Sequence, residues 1–379
     1  MIMKKICKNI TEYPMVFAFF AICLVMLCGY IFRTQDDFSQ MENRFLQKRP
    51  ALTLPALLDG SFMDAFEVYT NEQIPLRGMF VKCKAATVAA TLSSENDGIA
   101  KGKDSYLFDK VTAVDDKCYR NIAAIVNFAK NSGRDVYVAI APTSTWVNGD
   151  LLPAGMPVLD EASMSNELTG ALRNIDNAHM IYLYDTLREH AGEQLYYRTD
   201  HHWTTKGAGY AYEKIASDMG LEVKNITQYT KHTADDFLGT HYAKYKGIGI
   251  RPDTIEYYDV PIDELRLEKR TVHDLFDEEK LSVFDKYGGF MYGNDGCCKV
   301  VAQKGAGREL VIFKDSYANC LIPYLVMNYD SITVVDLRYF GGSVQELLDE
   351  NGQTDVLLLY NWTFVNDDNH FYKLGRVDG

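Results

Sequence analysis

Leu310-Val311-Ile312-Phe313-Lys314-Asp315-Ser316-Tyr317 reads as a strand that ends in Asp-Ser and runs into a helix-like stretch. A nearly unbroken apolar run of this length is what a parallel strand covered on both faces looks like. The same unit recurs along the chain. Val136-Tyr-Val-Ala-Ile-Ala-Pro142 and Met180-Ile-Tyr-Leu-Tyr184 precede it, and Ser331 to Asp336 and Val356 to Tyr360 follow, with helical stretches between. Such alternation predicts an α/β fold, a parallel sheet between two helical layers. Ligands of these sheets bind beyond the carboxyl ends of the strands. Ser316, Arg338 and Asn361 fall just past such ends, as do Pro142-Thr143-Ser144 and Asp185.

Asp200-His201-His202-Trp203 lies in a turn-like stretch ahead of a helix that Thr204 or Thr205 can cap and Gly220 ends. An Asp and a His two apart on a short turn can work together: the carboxylate orients the imidazole, and the imidazole moves a proton. Ser316 is the candidate nucleophile, with its own N–H at a helix start where it can face an oxyanion. The simpler reading of Ser316 is a helix cap. Asn361 can offer a second oxyanion donor or merely close a turn. Arg338 can bind an anion or form a surface ion pair. Asp200, His201 and His202 also have metal-ligating groups, but neighbours in sequence rarely all face one ion, so no metal is expected. Gly293-Asn294-Asp295 reads as a turn.

The chain has 379 residues, 47% of them hydrophobic, and a formal net charge of −13. That balance argues against nucleic acid as a partner, because binding phosphates needs a basic surface. Residues 14–32 carry no charged side chain, Lys4, Lys5 and Lys8 precede them, and Asp36 and Asp37 follow. This pattern predicts a single-pass anchor with a cytoplasmic tail at 1–13 and the bulk of the chain outside the cell; a cleaved signal peptide is the competing reading. Residues 33–97 read as a stalk with lead-in helices, in which Phe62, Phe66 and Tyr69 have helical spacing. Residues 98–379 form the main domain, interrupted at about 225–305 by a tyrosine-, charge- and glycine-rich insertion or lid with short strands. Beyond the anchor lie Cys83, Cys118, Cys297, Cys298 and Cys320, with no CxxC and no regular spacing that specifies a disulfide framework.

The Asp-His-His-Trp string is the signature of the DHHW family of extracytoplasmic proteins, and this sequence resembles that family over most of its length outside residues 14–32. Ser-Gln-Met-Glu-Asn-Arg at 39–44, Gly-Lys-Asp-Ser-Tyr-Leu-Phe at 102–108 and Lys-Asp-Ser-Tyr at 314–317 fit it too. The family is similar to the alginate O-acetylation proteins, whose domain is SGNH-hydrolase-like. The resemblance implies a three-layer SGNH-like sheet with a circularly permuted order of motifs, and a triad of Ser316, His202 and Asp200. Arg338 and Tyr360 match a supporting Arg and Tyr, and Asn361 matches the oxyanion Asn. The sequence departs from the SGNH pattern in two places: Arg338 stands where Gly is usual, and Lys314 replaces the Gly before Asp-Ser. The implied activity is O-acyl transfer, acetyl above all, to a cell-surface polysaccharide, with a membrane acyltransferase as partner and no cofactor. A carbohydrate acetyl esterase or a non-catalytic glycan-binding scaffold of the same fold are the alternatives.

Overall fold

The central sheet is built from β1 (Val136–Ala141), β2 (Ala178–Ile181), β3 (Ile262–Arg266), β4 (Thr271–Val272), β5 (Cys297–Ala302), β6 (Glu309–Lys314), β7 (Ser331–Val335) and β8 (Asp355–Asn361). Their order across the sheet is β4-β3-β5-β7-β6-β8-β1-β2. The structure is a computed structural model, and it describes residues 13–32, 34–39, 44–90, 95–111, 113–303, 307–352 and 354–375. The chain divides into two compact units, Met1–Thr91 and Leu92–Gly379.

In the larger unit β7, β6, β8, β1 and β2 are parallel neighbours. The apolar run that opens the sequence reading becomes β6, and its side chains divide by period two between the faces. Leu310 and Ile312 join Leu357, Leu359, Ala139 and Ile332 in one core cluster. Val311 and Phe313 join Val356, Leu358, Val138 and Val335 in another. Helix Thr205–Asp218 supplies Ala208, Ala211, Tyr212 and Ile215 to the first cluster. Helices Asp116–Asn131, Glu161–Leu172 and Val344–Glu350 cover the second with Ile122, Ile125, Phe128, Leu168 and Leu347. Each helix starts on a side-chain cap: Thr204, Asp115, Asp160 and Ser343 accept backbone N–H groups of the first turn.

The sheet is mixed, which corrects the expectation of an all-parallel one. β5 pairs antiparallel with β7, β3 with β5, and β4 with β3. These three strands come from the segment read as an irregular insertion. Buried and more open positions are interleaved along them, as in Cys297-Cys-Lys-Val300, where Cys298 and Val300 are buried and Cys297 and Lys299 are half-buried. A strand covered on one face needs no continuous apolar run, so it is hidden from a search for such runs. A smaller correction applies to β2, which ends at Ile181, after which Tyr184 opens the short helix Tyr184–Glu189.

In the smaller unit, helix Ser61–Glu72 brings the spaced aromatics together: Phe62 stacks on Phe66 at 5.6 Å, and Phe66 meets Tyr69 at 6.0 Å. The Gln73 amide exchanges two hydrogen bonds with the backbone of Asp36. Helix Pro14–Phe32 has 19 residues, none charged, and its large apolar side chains are mostly exposed. Among the described residues, no helix is long and apolar enough to cross a membrane. The charged tail with Lys4, Lys5 and Lys8, and Gln40 to Asn43 of the family-like stretch, lie outside the described residues.

Candidate active site

β6 ends at Lys314, and Asp315 caps the 3-10 helix Ser316–Cys320 by accepting the Tyr317 N–H at 2.8 Å. The other Asp315 oxygen accepts both the backbone N–H and the side-chain amide of Asn361, each at 2.7 Å. One buried carboxylate thus fixes the start of the Ser316 turn to the end of β8. The Ser316 N–H opens the helix, where no intrahelical acceptor exists for it.

The Asp200-His201-His202-Trp203 turn comes to the same place. The isolated bridge Tyr196–Trp203 closes it, and Trp203 is fully buried with its indole N–H on the Tyr317 carbonyl at 2.8 Å. His202 Nε2 lies 2.7 Å from Ser316 Oγ, and His202 Nδ1 lies 2.5 Å from Asp200 Oδ1. Asp200 Oδ1 also accepts the His202 backbone N–H, while Oδ2 accepts the N–H and the hydroxyl of Thr240 at 2.7 and 2.9 Å. Burial by itself pushes the Asp200 carboxyl up, but the two adjacent imidazoles and these donors outweigh it and hold it well below the usual range. Asp200 is therefore an ionised acceptor, and the proton on His202 sits at Nδ1. That leaves Nε2 facing the serine hydroxyl, the arrangement in which an imidazole can take a proton from oxygen.

Ser316 opens on a cavity of about 470 Å³, lined also by Thr143, His201, His241, Arg338, Asn361 and Phe364. Arg338 holds Asp336 with two hydrogen bonds, Nε at 2.9 Å and Nη2 at 2.6 Å, and lies over the Phe364 ring. Its Nη1 remains for the cavity. Lys314, at the position where Gly was expected, is buried with Nζ on Asn294 Oδ1 at 2.6 Å and 3.5 Å from Asp336. It braces the carboxylate that holds Arg338.

Two expected supports differ from the sequence reading. Tyr360 does not line the cavity: its ring is fully buried against Phe364 and Phe371, and its hydroxyl has no hydrogen-bond partner among the described residues. Residues alternate across a strand, so Tyr360 faces the core cluster opposite to that of Leu359. It acts on the cavity only through Phe364. Asn361 does line the cavity, but its carbonyl caps helix Trp362–Asp367 and one amide N–H is spent on Asp315. It can offer a single remaining N–H.

Three contributors escaped sequence reasoning. The Tyr287 ring lies flat on the His202 imidazole, 3.7 Å between centroids and 9° between planes, and its hydroxyl donates to the Ser316 carbonyl at 3.0 Å. Gly239 lets the chain pass close to Asp200, since a Cβ there would lie 2.3 Å from the Asp200 side chain. Thr240 then supplies two donors to that carboxylate. The Gly-Thr dipeptide and the Asp-Lys-Tyr-Gly-Gly turn carry no recognisable motif, and only their folded position gives them a role. Among the described residues, Asp200, His201 and His202 are the one group with ligand atoms close enough for a metal ion. Asp200, both nitrogens of His202 and His201 Nδ1 are already engaged with Ser316, Thr240 and one another.

The family model for the DHHW protein matches residues 104–335, more than half of the chain. The structure is similar to that of a DHHW family protein from Eubacterium siraeum DSM 15702, with 25% identity and a TM-score of 0.64, covering 74% of this chain and 96% of that one. It shares its fold with Bacillus cereus PatB1, solved with a sulfonyl adduct, at 19% identity and a TM-score of 0.58, covering 72% and 97%. No curated protein matches the chain. The chain belongs to the DHHW family.

Proposed function

We propose that this protein is an extracytoplasmic, serine-dependent O-acyltransferase with an SGNH-like domain, its motifs in permuted order, that moves acetyl groups onto a cell-surface polysaccharide. The observation that carries this reading is the continuous file from Ser316 Oγ through the His202 ring to Asp200, at 2.7 and 2.5 Å, opening on the cavity. In the first step Ser316 Oγ attacks the acyl carbonyl carbon and His202 Nε2 takes its proton. The donor C–O bond breaks and the proton leaves with the departing alkoxide. In the second step an acceptor hydroxyl attacks the acyl-serine, His202 takes that proton, and returns it to Ser316 Oγ as the ester bond to serine breaks. The Ser316 N–H, the remaining Asn361 N–H and Arg338 Nη1 are the donors available to the oxyanion.

Helix Pro14–Phe32 is the proposed anchor. Its uncharged surface supports this, and a bilayer can thin locally around a short span. The preceding lysines place the N-terminus inside, and a membrane acyltransferase would deliver the acetyl group. A fluorophosphonate or sulfonyl fluoride probe tests the core of the proposal, and the sulfonyl adduct of PatB1 makes the second a natural choice. Ser316 is expected to label and Ser316→Ala is not. A folded protein that refuses label is a glycan-binding scaffold instead. Label together with aryl-acetate turnover that no sugar accelerates makes the protein an esterase.

A further inference from the structure

The smaller unit leaves bare hydrocarbon exposed where the larger one does not. Among the described residues, the large hydrophobic side chains exposed on the larger unit are mostly tyrosines, such as Tyr119 and Tyr339, which end in a polar hydroxyl. On the smaller unit, outside helix Pro14–Phe32, they are mostly Leu, Phe and Met. One group of them is contiguous. Phe38 and Leu76 line one groove, together with Gly29 and Arg77. Phe38 pairs across two short antiparallel strands with Phe45, which is 78% exposed, their rings 5.2 Å apart. Met79 and Phe80, in the first turn of helix Arg77–Ala90, are each about half exposed. Apolar side chains gathered in this way mark an interaction surface.

Its position says what covers it. Two residues in the last turn of helix Pro14–Phe32 pack on the same unit. The Tyr30 ring meets the Tyr69 ring edge-on at 6.0 Å, and a Cβ on Gly29 would lie 3.1 Å from the Pro75 ring. Pro75 and Leu76 are therefore level with the end of that helix. The helix has 19 residues, about 28 Å at the usual rise, just short of the roughly 30 Å hydrocarbon core. A short span is met by local thinning of the bilayer, which brings the groups around its end into the headgroup layer. The charge pattern agrees. Asp36 and Glu72 line the groove, but helix Arg77–Ala90 carries Arg77, Lys82 and Lys84 and no acidic residue, in a chain of net charge −13. Basic residues beside exposed Phe, Leu and Met are the composition of a segment that lies in a bilayer interface next to anionic headgroups. We infer that Phe45, Leu76, Met79 and Phe80 rest in the outer face of a lipid bilayer, with the basic residues of helix Arg77–Ala90 at anionic headgroups. This rests on the reading of helix Pro14–Phe32 as the anchor and adds a second point of attachment. The helix alone leaves the smaller unit free to tilt about its end, and the second contact fixes its orientation on the membrane.

The test uses the full chain reconstituted in vesicles of phosphatidylcholine and phosphatidylglycerol whose acyl chains carry bromine at a chosen depth. Phe45→Trp and Phe80→Trp, made separately, keep an aromatic ring at exposed positions, so folding is not at stake. The emission each adds is read over that of Trp146, Trp203 and Trp362. Bromine close to the headgroup is expected to quench more than about half of the added emission, since an interfacial segment reaches only the upper acyl chains. Bromine near the chain ends is expected to quench much less. Unquenched emission overturns the inference: at a water-exposed wavelength the surface faces solvent, and at a blue-shifted one a protein covers it. Stronger quenching from the chain ends overturns it as well, because the segment then lies deep in the membrane. An alkaline carbonate wash separates these failures from that of the anchor. Protein that stays on the vesicles but is unquenched loses only the second contact. Protein that washes off loses the anchor, and this inference with it.

Discussion

Two regions of the larger unit meet at Ser316 and contribute different things. The parallel strands β6, β7 and β8 end in Asp315-Ser316, in Asp336 with Arg338, and in Asn361. They supply the hydroxyl and the groups that face a developing anion. The segment between residues 225 and 305 supplies no reacting group. It brings Gly239 and Thr240 against Asp200, Tyr287 against His202, and Asn294 against Lys314. The contrast teaches that chemistry and its alignment can be encoded in different kinds of sequence. The nucleophile and the anion-facing groups sit at the ends of regular elements, where the sheet fixes their positions. An aligning group is needed wherever a neighbour lies open, so it comes from whichever loop passes.

Substitutions can break or sharpen that division. Ser316→Ala should be the most severe, lowering acyl transfer by about 10⁴-fold or more with an unchanged melting curve, because the nucleophile cannot be replaced by its neighbours. A mild effect would move the chemistry elsewhere. Next comes Glu161, the first residue of helix Glu161–Leu172: it is buried and accepts the N–H of Thr143, just past the end of β1, at 3.2 Å. Burial pushes its carboxyl up to about 8. The folded state then holds a proton that the unfolded chain releases above about 4.5. Stability should therefore fall as pH rises from about 4.5 to about 8. Glu161→Gln should flatten that slope, read by denaturant titration at several pH values, while a slope that persists in the variant would assign it to other groups.

The aligning region should give smaller, purely kinetic losses. Gly239→Ala forces a methyl into the space of the Asp200 carboxylate and should cost about 100-fold in kcat, the usual scale for a displacement near 1 Å. Labelling of Ser316 should slow in parallel. Tyr287→Phe keeps the stacked ring and loses the hydroxyl that bonds the Ser316 carbonyl and touches the Cys320 sulfur, so a loss of about fivefold is expected. Tyr287→Leu, which removes the aromatic face as well, should cost more. Equal losses in the two variants would mean that the hydroxyl alone matters.

The same contrast explains how much was legible in the sequence. The β6 run is apolar from Leu310 to Phe313 and Thr204 caps a clear helix, so these elements and the Ser316 turn could be read directly. Asp200 and His202 could be read because their partner relation is local, two residues apart. Tyr287 and His202 lie far apart in the chain, and no periodicity links them. Short strands were expected between 225 and 305, but not that β3, β4 and β5 extend the central sheet, because one-sided burial leaves a pattern that polar loops share. Tyr360 misled for another reason. It was assigned by matching the supporting Tyr that the family resemblance implies, but on β8 it points to the face opposite Leu359, away from the cavity.

Asp315 deserves a last consequence. A single carboxylate receives three N–H groups from two strand ends, with both of its oxygens occupied and no water-exposed surface to spare. An apolar substitute of similar size would orphan all three donors at once inside the protein, at about 1–3 kcal/mol each. The nucleophile's seat and the fold's integrity thus share one rivet. Evolution can retune the walls of this cavity freely, but it can relocate the serine only by rebuilding the junction beneath it.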